Sequence, residues 1–129
     1  MAKKLITSSQ DKTIRIWNVQ NRCEELKLQA SSPVTSITTT SDGQRIISGS
    51  EKHLVQVWNL TSGQEEFCLD GHTKRINSVA VTTDSKRIIS SSEDGTVIVW
   101  DAERCTRTAT LTGQASSPKK VVLTLTEDR

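Results

Sequence analysis

Thr96-Val-Ile-Val-Trp-Asp101 is the most complete copy of a stretch that occurs three times in this chain. The other two copies are Thr13-Ile-Arg-Ile-Trp-Asn18 and Leu54-Val-Gln-Val-Trp-Asn59, which places the tryptophans 41 and 42 residues apart. Each copy follows the two-residue alternation of a β-strand. A fixed period of about 40 residues is typical of repeat proteins, so the fold is predicted to consist of repeated β units.

The remainder of the repeat also consists of strand-like segments. Val34-Thr-Ser-Ile-Thr-Thr-Thr40 and Ile76-Asn-Ser-Val-Ala-Val-Thr82 alternate, and they precede the second and third copies. Each leads through a turn, Ser41-Asp-Gly-Gln44 or Thr83-Asp-Ser-Lys86, into an Arg-Ile-Ile-Ser segment. Turn-forming residues between short alternating runs indicate antiparallel strands rather than helices. The repeat unit is therefore predicted to be several short antiparallel strands.

This pattern resembles the WD40 repeat family over essentially the whole chain. The resemblance depends on the Trp-Asn or Trp-Asp strand ending, the Gly71-His72 dipeptide, and the tight turns Ser9-Gln-Asp-Lys-Thr13 and Ser92-Glu-Asp-Gly-Thr96. It implies an all-β fold in which each repeat is one four-stranded propeller blade, with strands a to d running from the central channel to the rim.

The resemblance implies a single three-blade unit over residues 1–129. Residues 1–28 are expected to form strands b to d of one blade, at 3–8, 13–19 and 23–28, while 34–70 and 76–112 form two complete blades. Residues 119–126 are expected to form an isolated strand a, because Gln114-Ala-Ser-Ser-Pro118 before them is identical to Gln29-Ala-Ser-Ser-Pro33. That last strand is expected to complete a blade of a neighbouring subunit.

Three blades are fewer than the about 4–8 that closed propellers use. Each blade would have to subtend about 120°, which is wider than the wedge of a twisted four-stranded sheet. An open arc would instead expose apolar blade faces. Because the terminal strands are complementary, we expect a head-to-tail homo-oligomer. A dimer would have six blades and a trimer nine, and we favour the dimer; a fragment of a longer propeller is the alternative.

The composition limits the expected cellular location and the expected classes of partner. No apolar run approaches the roughly 20 residues of a membrane span, and no signal-peptide core follows Met1, so we expect a cytoplasmic protein with no membrane partner. A net charge of +2 with scattered Lys and Arg argues against a nucleic-acid partner. Cys23, Cys68 and Cys105 lack metal-site spacing, so we expect free thiols in a reducing compartment, although a Cys23–Cys105 pair is conceivable.

His72 has a catalytic and a structural interpretation. It could act as a general base, but no Gly-x-Ser-x-Gly nucleophile context accompanies it. The resemblance implies instead a hydrogen-bonded tetrad that ties one blade together, and we favour this structural role. Its members would be His72, Ser90, Asp94 and Trp100.

The other two blades depart from the tetrad pattern. The first keeps Asp11 and Trp17, with Thr7 at the hydroxyl position. The second keeps only Ser48 and Trp58, because Lys52 stands at the Asp position and Ala30-Ser31 at the Gly-His position. We interpret all three tryptophans as buried packing residues, since they lie within strands and not in loops.

The sequence contains no phosphate loop, metal cluster or paired catalytic acids, so no cofactor and no catalytic residue is predicted. The first hypothesis is a non-catalytic scaffold that binds a protein or peptide on the top face of the propeller. The resemblance places contacts at the starts of strand a and in the b–c turns. Arg75 is the leading candidate, because Arg is enriched at interface hot spots. The candidate set is Pro33, Thr73, Arg75, Lys119, Gln10, Glu51 and Glu93.

Two other functions stay open at this stage. The first is a small-ligand binder or enzyme that uses the central channel, for which strand a offers only hydroxyl and amide side chains. The second is a propeller piece of a larger signalling protein that also carries a nucleotide-binding domain. The channel candidates are Thr38, Thr39, Thr40, Asn77, Ser78 and Thr82.

Overall fold

The computed structural model describes residues 4–111, which form eleven β-strands in three antiparallel sheets and no helix. The sheets follow one another along the chain, and we call them blades 1, 2 and 3. Blade 1 contains β1 (Lys4–Ser8), β2 (Thr13–Asn18) and β3 (Cys23–Gln29); blade 2 contains β4 (Val34–Thr39), β5 (Arg45–Ser50), β6 (Leu54–Asn59) and β7 (Glu65–Asp70); blade 3 contains β8 (Ile76–Val81), β9 (Arg87–Ser92), β10 (Val97–Asp101) and β11 (Thr106–Leu111).

The spatial order of the strands equals their order in the chain within every sheet, as in a meander. Strands a to d of blades 2 and 3 are therefore β4 to β7 and β8 to β11, while β1 to β3 are strands b to d of blade 1. The strand predicted at 13–19 ends at Asn18, and the one predicted at 23–28 continues to Gln29. The strand predicted at 119–126 lies outside the described residues.

The Asn or Asp after each tryptophan forms the turn that ends strand c. Asn18 Oδ1 accepts the backbone N–H of Asn21, and Asn59 Oδ1 accepts those of Thr61 and Ser62. Asp101 does the same in blade 3. A short side chain with a carbonyl oxygen is needed for this local capping, which explains why only Asn or Asp follows Trp.

The hydrophobic core lies between the blades, in one buried cluster between blades 1 and 2 and another between blades 2 and 3. The face of a blade that carries the tryptophan, which we call the back face, packs on the preceding blade. Trp58 of blade 2 joins Ile14 and Ile16 of blade 1 in one buried cluster. The opposite surface, the front face, packs on the following blade, as Val55 and Val57 of blade 2 pack in the cluster around Trp100 of blade 3.

Alternation along strand c generates these two faces. Residues directly opposite in the register share a face, so Trp58 and Ile46 lie on the back face, and Val57 and Ile47 lie on the front face. Glycine is required where two blades approach most closely: a Cβ on Gly49 would overlap Ile76 of the next blade. Within the described residues there is no helix long and apolar enough to cross a membrane.

Candidate functional site

Four side chains of blade 3 form one continuous hydrogen-bond chain behind the top face, which is the edge that carries the b–c turns and the loops between blades. Ser90 Oγ lies 2.7 Å from His72 Nε2 and accepts the indole N–H of Trp100 at 3.0 Å. His72 Nδ1 lies 3.2 Å from Asp94 Oδ2. These hydrogen bonds connect the loop before β8 to β9, to β10 and to the turn between β9 and β10.

The partners fix the protonation state of His72. Because Ser90 Oγ accepts the Trp100 N–H, its own hydrogen is available to His72 Nε2, which leaves the Nδ1–H to point at Asp94. Burial lowers the pKa of His72, and the nearby Asp94 carboxylate only partly offsets this effect. The imidazole is therefore neutral at pH 7. Its Nε2 accepts a hydrogen bond from Ser90, and its Nδ1–H donates one to Asp94.

Asp94 is a strongly stabilised carboxylate. Burial opposes its ionisation, but it accepts bonds from the side chain and backbone of Thr96, from the backbone N–H of Thr73 and from His72, which together hold its pKa far below the ordinary range. The distance from Thr96 Oγ1 to His72 Nδ1 is 3.1 Å. Sequence reasoning missed Thr96, although Asp-x-Thr in both tight turns could have indicated it.

The Gly-His dipeptide also has a packing reason. A Cβ on Gly71 would lie 2.8 Å from the indole of Trp100, so only glycine lets the loop cross the ring. The guanidinium of Arg107 lies 6.0 Å from the centre of the same ring and donates to the Gly71 carbonyl at 3.3 Å. The loop before β8 is thus fixed against blade 3.

Blades 1 and 2 contain only parts of this network. The Trp17 indole donates to Thr7 Oγ1 at 3.1 Å, and the Trp58 indole donates to Ser48 Oγ at 2.9 Å. Asp11 closes its own turn through the backbone N–H of Thr13 and has no imidazole partner among the described residues. Lys52 and Ser31 are exposed and take no part in such a chain.

Ser90, His72 and Asp94 have the connectivity of a hydrolase triad, but the serine cannot reach a substrate. Ser90 is 0% exposed, and its Oγ is already occupied by the indole N–H of Trp100. A nucleophile must lie beside a cavity that admits the scissile group and supplies oxyanion donors. The arrangement can therefore hold a blade together, but it cannot perform acyl transfer.

The top face in front of the network presents exposed side chains on a rigid backbone. Ser92 Oγ donates to the carbonyls of Lys74 and Arg75, and the backbone N–H of Glu93 donates to the Arg75 carbonyl at 2.9 Å. Of the predicted contact residues, Thr73, Arg75 and Glu93 are brought together here, and all three are exposed. Arg75 forms none of the ion pairs found among residues 4–111.

The equivalent loop between blades 1 and 2 gathers a second group of predicted residues. The backbone N–H of Glu51 donates to the Pro33 carbonyl at 3.0 Å, so these two residues adjoin on the top face. Gln10 is exposed in the corresponding turn of blade 1. The structure thus brings Pro33 and Glu51 together, while Gln10 lies one blade away. Lys119 lies outside the described residues.

The channel candidates are used mainly in structure. Thr40 and Thr82 donate their hydroxyls to Asp42 and Asp84 and so close the a–b turns. Within the described residues no three His, Cys, Asp or Glu side chains form a group that could hold a metal ion. On the bottom face a cavity of about 310 Å³ lies between blades 2 and 3, and its charged lining mixes both signs: Asp42, Arg45, Asp84, Lys86 and Glu103.

Comparison with known protein families gives one match that covers most of the chain. The family model described as WD domain, G-beta repeat (WD40) matches residues 2–18, 23–59 and 63–101. The solved structure titled "Structure of U3-55K" superposes on 88% of this chain with a TM-score of 0.85, at 23% identity, over 37% of its own chain. The three sheets therefore have the relative placement found in that solved chain.

Two curated proteins show the extent of sequence similarity. The nuclear distribution protein nudF of Emericella nidulans is 30% identical over 70 residues, which cover 53% of this chain and 16% of that protein. Myosin heavy chain kinase D of Dictyostelium discoideum is 43% identical over 60 residues, which cover 43% of this chain and 6% of that protein. The matches thus span about a sixth or less of the length of these relatives.

Proposed function

The chain belongs to the WD40 repeat family, and on that premise we propose that it is a non-catalytic scaffold whose top face binds a protein or peptide. WD40 propellers generally act as interaction scaffolds and not as enzymes. The observation that carries the proposal is the contrast at blade 3. In blade 3 the potentially reactive side chains Ser90 and His72 are buried and hydrogen-bonded to each other. In contrast, Thr73, Arg75 and Glu93 in front of them are exposed on an immobilised backbone.

The rigidity of this loop favours binding, because ordering a mobile loop costs free energy and weakens the affinity for a partner. Backbone bonds from Glu93 and side-chain bonds from Ser92 and Asp94 hold the loop through Arg75 before any partner arrives. The exposed guanidinium of Arg75, carried on this fixed backbone, suits a carboxylate, to which it can donate two parallel bonds. We therefore propose a partner segment that carries an acidic side chain or a terminal carboxylate over Arg75.

We also propose that the protein is cytoplasmic. All three cysteines of the sequence lie among the described residues, and all are free thiols. Free thiols are compatible with a reducing compartment.

Burial raises the pKa of Cys105, and burial likewise raises that of Cys68, so these two thiols are poor nucleophiles at pH 7.

The test uses a defined probe. A random peptide library displayed on phage would be selected on the immobilised intact chain, and enriched peptides would be synthesised and measured by fluorescence polarisation. We expect acidic peptides whose affinity falls about tenfold or more in Arg75→Ala, the scale of losing a charged contact. Lys86→Ala, an exposed cation on the bottom face, is the matched control and should leave the affinity unchanged.

Three results would contradict the proposal. The first is that no peptide is enriched above the level of an unrelated protein. The second is that enriched peptides lose affinity in Lys86→Ala but not in Arg75→Ala, which would move the binding site to the bottom face. The third is binding that resists both substitutions and is competed by small polar solutes, which would favour the channel instead.

A further inference from the structure

The exposed large hydrophobic side chains of the described region are concentrated on its two unpaired blade faces. Leu5 is 56% exposed and Val19 is 49% exposed, and both lie on the back face of blade 1. Leu111, 58% exposed, lies on the front face of blade 3 opposite Val97. The fourth such residue, Phe67, lies on the outer strand of blade 2.

The back face of blade 1 repeats residues that are buried in the other blades. Leu5 pairs with Trp17 as Ile46 pairs with Trp58, yet Ile46 is 0% exposed. Val19 occupies the position of Leu60, which packs in the cluster between blades 1 and 2. Leu5 and Val19 are therefore apolar side chains at positions whose equivalents in blade 2 are covered by the front face of the preceding blade.

The front face of blade 3 is the counterpart of two faces that are already covered. Leu111 pairs with Val97 as Leu69 pairs with Val55, and Leu69 and Val55 are buried against blade 3. Val97 and Val99 are only partly buried. The chain therefore carries, at opposite ends of one arc, both halves of the contact that it makes twice internally.

We propose that the front face of blade 3 packs on the back face of blade 1 of a second copy, and reciprocally, so that two chains form a six-blade ring. This contact between copies does not involve the top-face residues Thr73, Arg75 and Glu93. A front face fits a back face and not another front face, so the contact is head-to-tail and must close or continue indefinitely. Two copies give six blades, within the about 4–8 that closed rings use, whereas three copies give nine.

The polar residues on the open back face are compatible with being covered. Arg15 pairs with Glu24 across the strands at 3.2 Å. At the same position in blade 2, Gln56 pairs with Glu65 at 3.0 Å and is only 3% exposed under the front face of blade 1. A polar side chain bonded to an exposed glutamate therefore already lies within one internal contact, and closure would cover no unpaired charge at Arg15.

Sedimentation of the intact chain tests this inference. At about 5–100 µM, where mass action favours assembly, we expect a single species of twice the 14.2 kDa chain mass. Val19→Lys on the back face and Leu111→Lys on the front face should each shift that species to one chain mass. Phe67→Lys, an exposed hydrophobic outside both open faces, is the matched control and should remain at twice the chain mass.

A second measurement covers the case in which the face variants fail to fold. A 1:1 mixture of unlabelled and nitrogen-15 wild-type chains would be cross-linked through lysine and analysed by mass spectrometry. We expect intermolecular links between Lys4 of blade 1 and Lys86 of blade 3, which closure brings together. A monodisperse monomer at the highest concentration, a species of three chain masses, or a dimer that lacks these links would overturn the proposal. A monomer would assign the two faces to further repeats of a longer polypeptide.

Discussion

Replacing Asp94 by Asn keeps the size of the side chain but removes an acceptor from the network of blade 3. If the amide oxygen stays on Thr96, the new NH₂ group faces two donors, the N–H of Thr73 at 3.0 Å and His72 Nδ1 at 3.2 Å. A change of His72 tautomer would only transfer the conflict to Ser90. An unsatisfied buried donor costs about 1–3 kcal/mol, and His72 is buried whereas Thr73 is exposed, so Asp94→Asn should lower the free energy of unfolding by about 1–3 kcal/mol.

The matched control is Asp11→Asn, because Asp11 occupies the same turn in blade 1. It accepts the N–H of Thr13 at 3.0 Å as Asp94 accepts that of Thr96 at 2.9 Å, but its second oxygen has only Arg15 at 3.7 Å, in solvent. We expect no measurable loss of stability from Asp11→Asn. Both variants should be compared with wild type by urea unfolding at one protein concentration, with equal slopes against denaturant.

The pH dependence provides an internal check. The depressed pKa of Asp94 means that its stabilisation is present above the ordinary carboxyl pKa and is lost as the pH falls through the folded-state value. The difference in unfolding free energy between wild type and Asp94→Asn should therefore shrink below about pH 4, where unfolded carboxyls protonate. If Asp94→Asn costs no more than Asp11→Asn at pH 7, the network does not stabilise blade 3 and the reasoning fails.

Three further results are expected. Trp100→Ala and Trp58→Ala should each cost about 3–5 kcal/mol in urea melts, with Trp100 the more costly because its indole also belongs to the network; the reverse order would contradict the assignment. Gly49→Ala should cost about 1–3 kcal/mol by the same assay, since the new methyl overlaps Ile76. Because burial depresses the pKa of His72, wild-type stability should fall as the pH drops below the ordinary His value of about 6.5. His72→Gln should remove that part of the pH dependence and leave the peptide affinity of the folded fraction intact, and an unchanged pH profile would refute this interpretation.

The sequence was sufficient for the blade architecture because the signal is both local and repeated. Three Trp-Asn or Trp-Asp strand endings at a nearly constant period predicted repeated β units, and the three antiparallel sheets of the structure confirm this prediction. Each such Asn or Asp makes the same turn whatever its neighbours, so a local pattern predicts local structure. The tetrad residues could be named from the resemblance. Thr96 bonds to Asp94 within its own Asp-x-Thr turn, but its approach to His72 joins residues 24 positions apart, which no local pattern shows.

Exposure could not be predicted in the same way, because it depends on the neighbouring blade and not on the local sequence. Leu5 and Ile46 occupy equivalent strand positions with similar side chains, yet one is 56% exposed and the other is 0% exposed. Nothing within either strand distinguishes them. Only the order of the three sheets in space shows which faces lack a partner within residues 4–111.

One position on strand c connects the repeat pattern to the proposed assembly. On the back faces it is occupied by Arg15 in blade 1, by Gln56 in blade 2 and by Ile98 in blade 3, and the residue is most polar where the face is open. A fully apolar back face on blade 1 would favour indiscriminate association before the correct partner is found. The paired charge of Arg15 and Glu24 keeps the open face hydrated at little cost in stability, while Leu5 and Val19 retain the apolar surface that a matching front face would cover. The side chain at this strand-c position thus becomes more polar from the covered back face of blade 3 to the open back face of blade 1. That polarity suits a face that would associate with a separately folded unit.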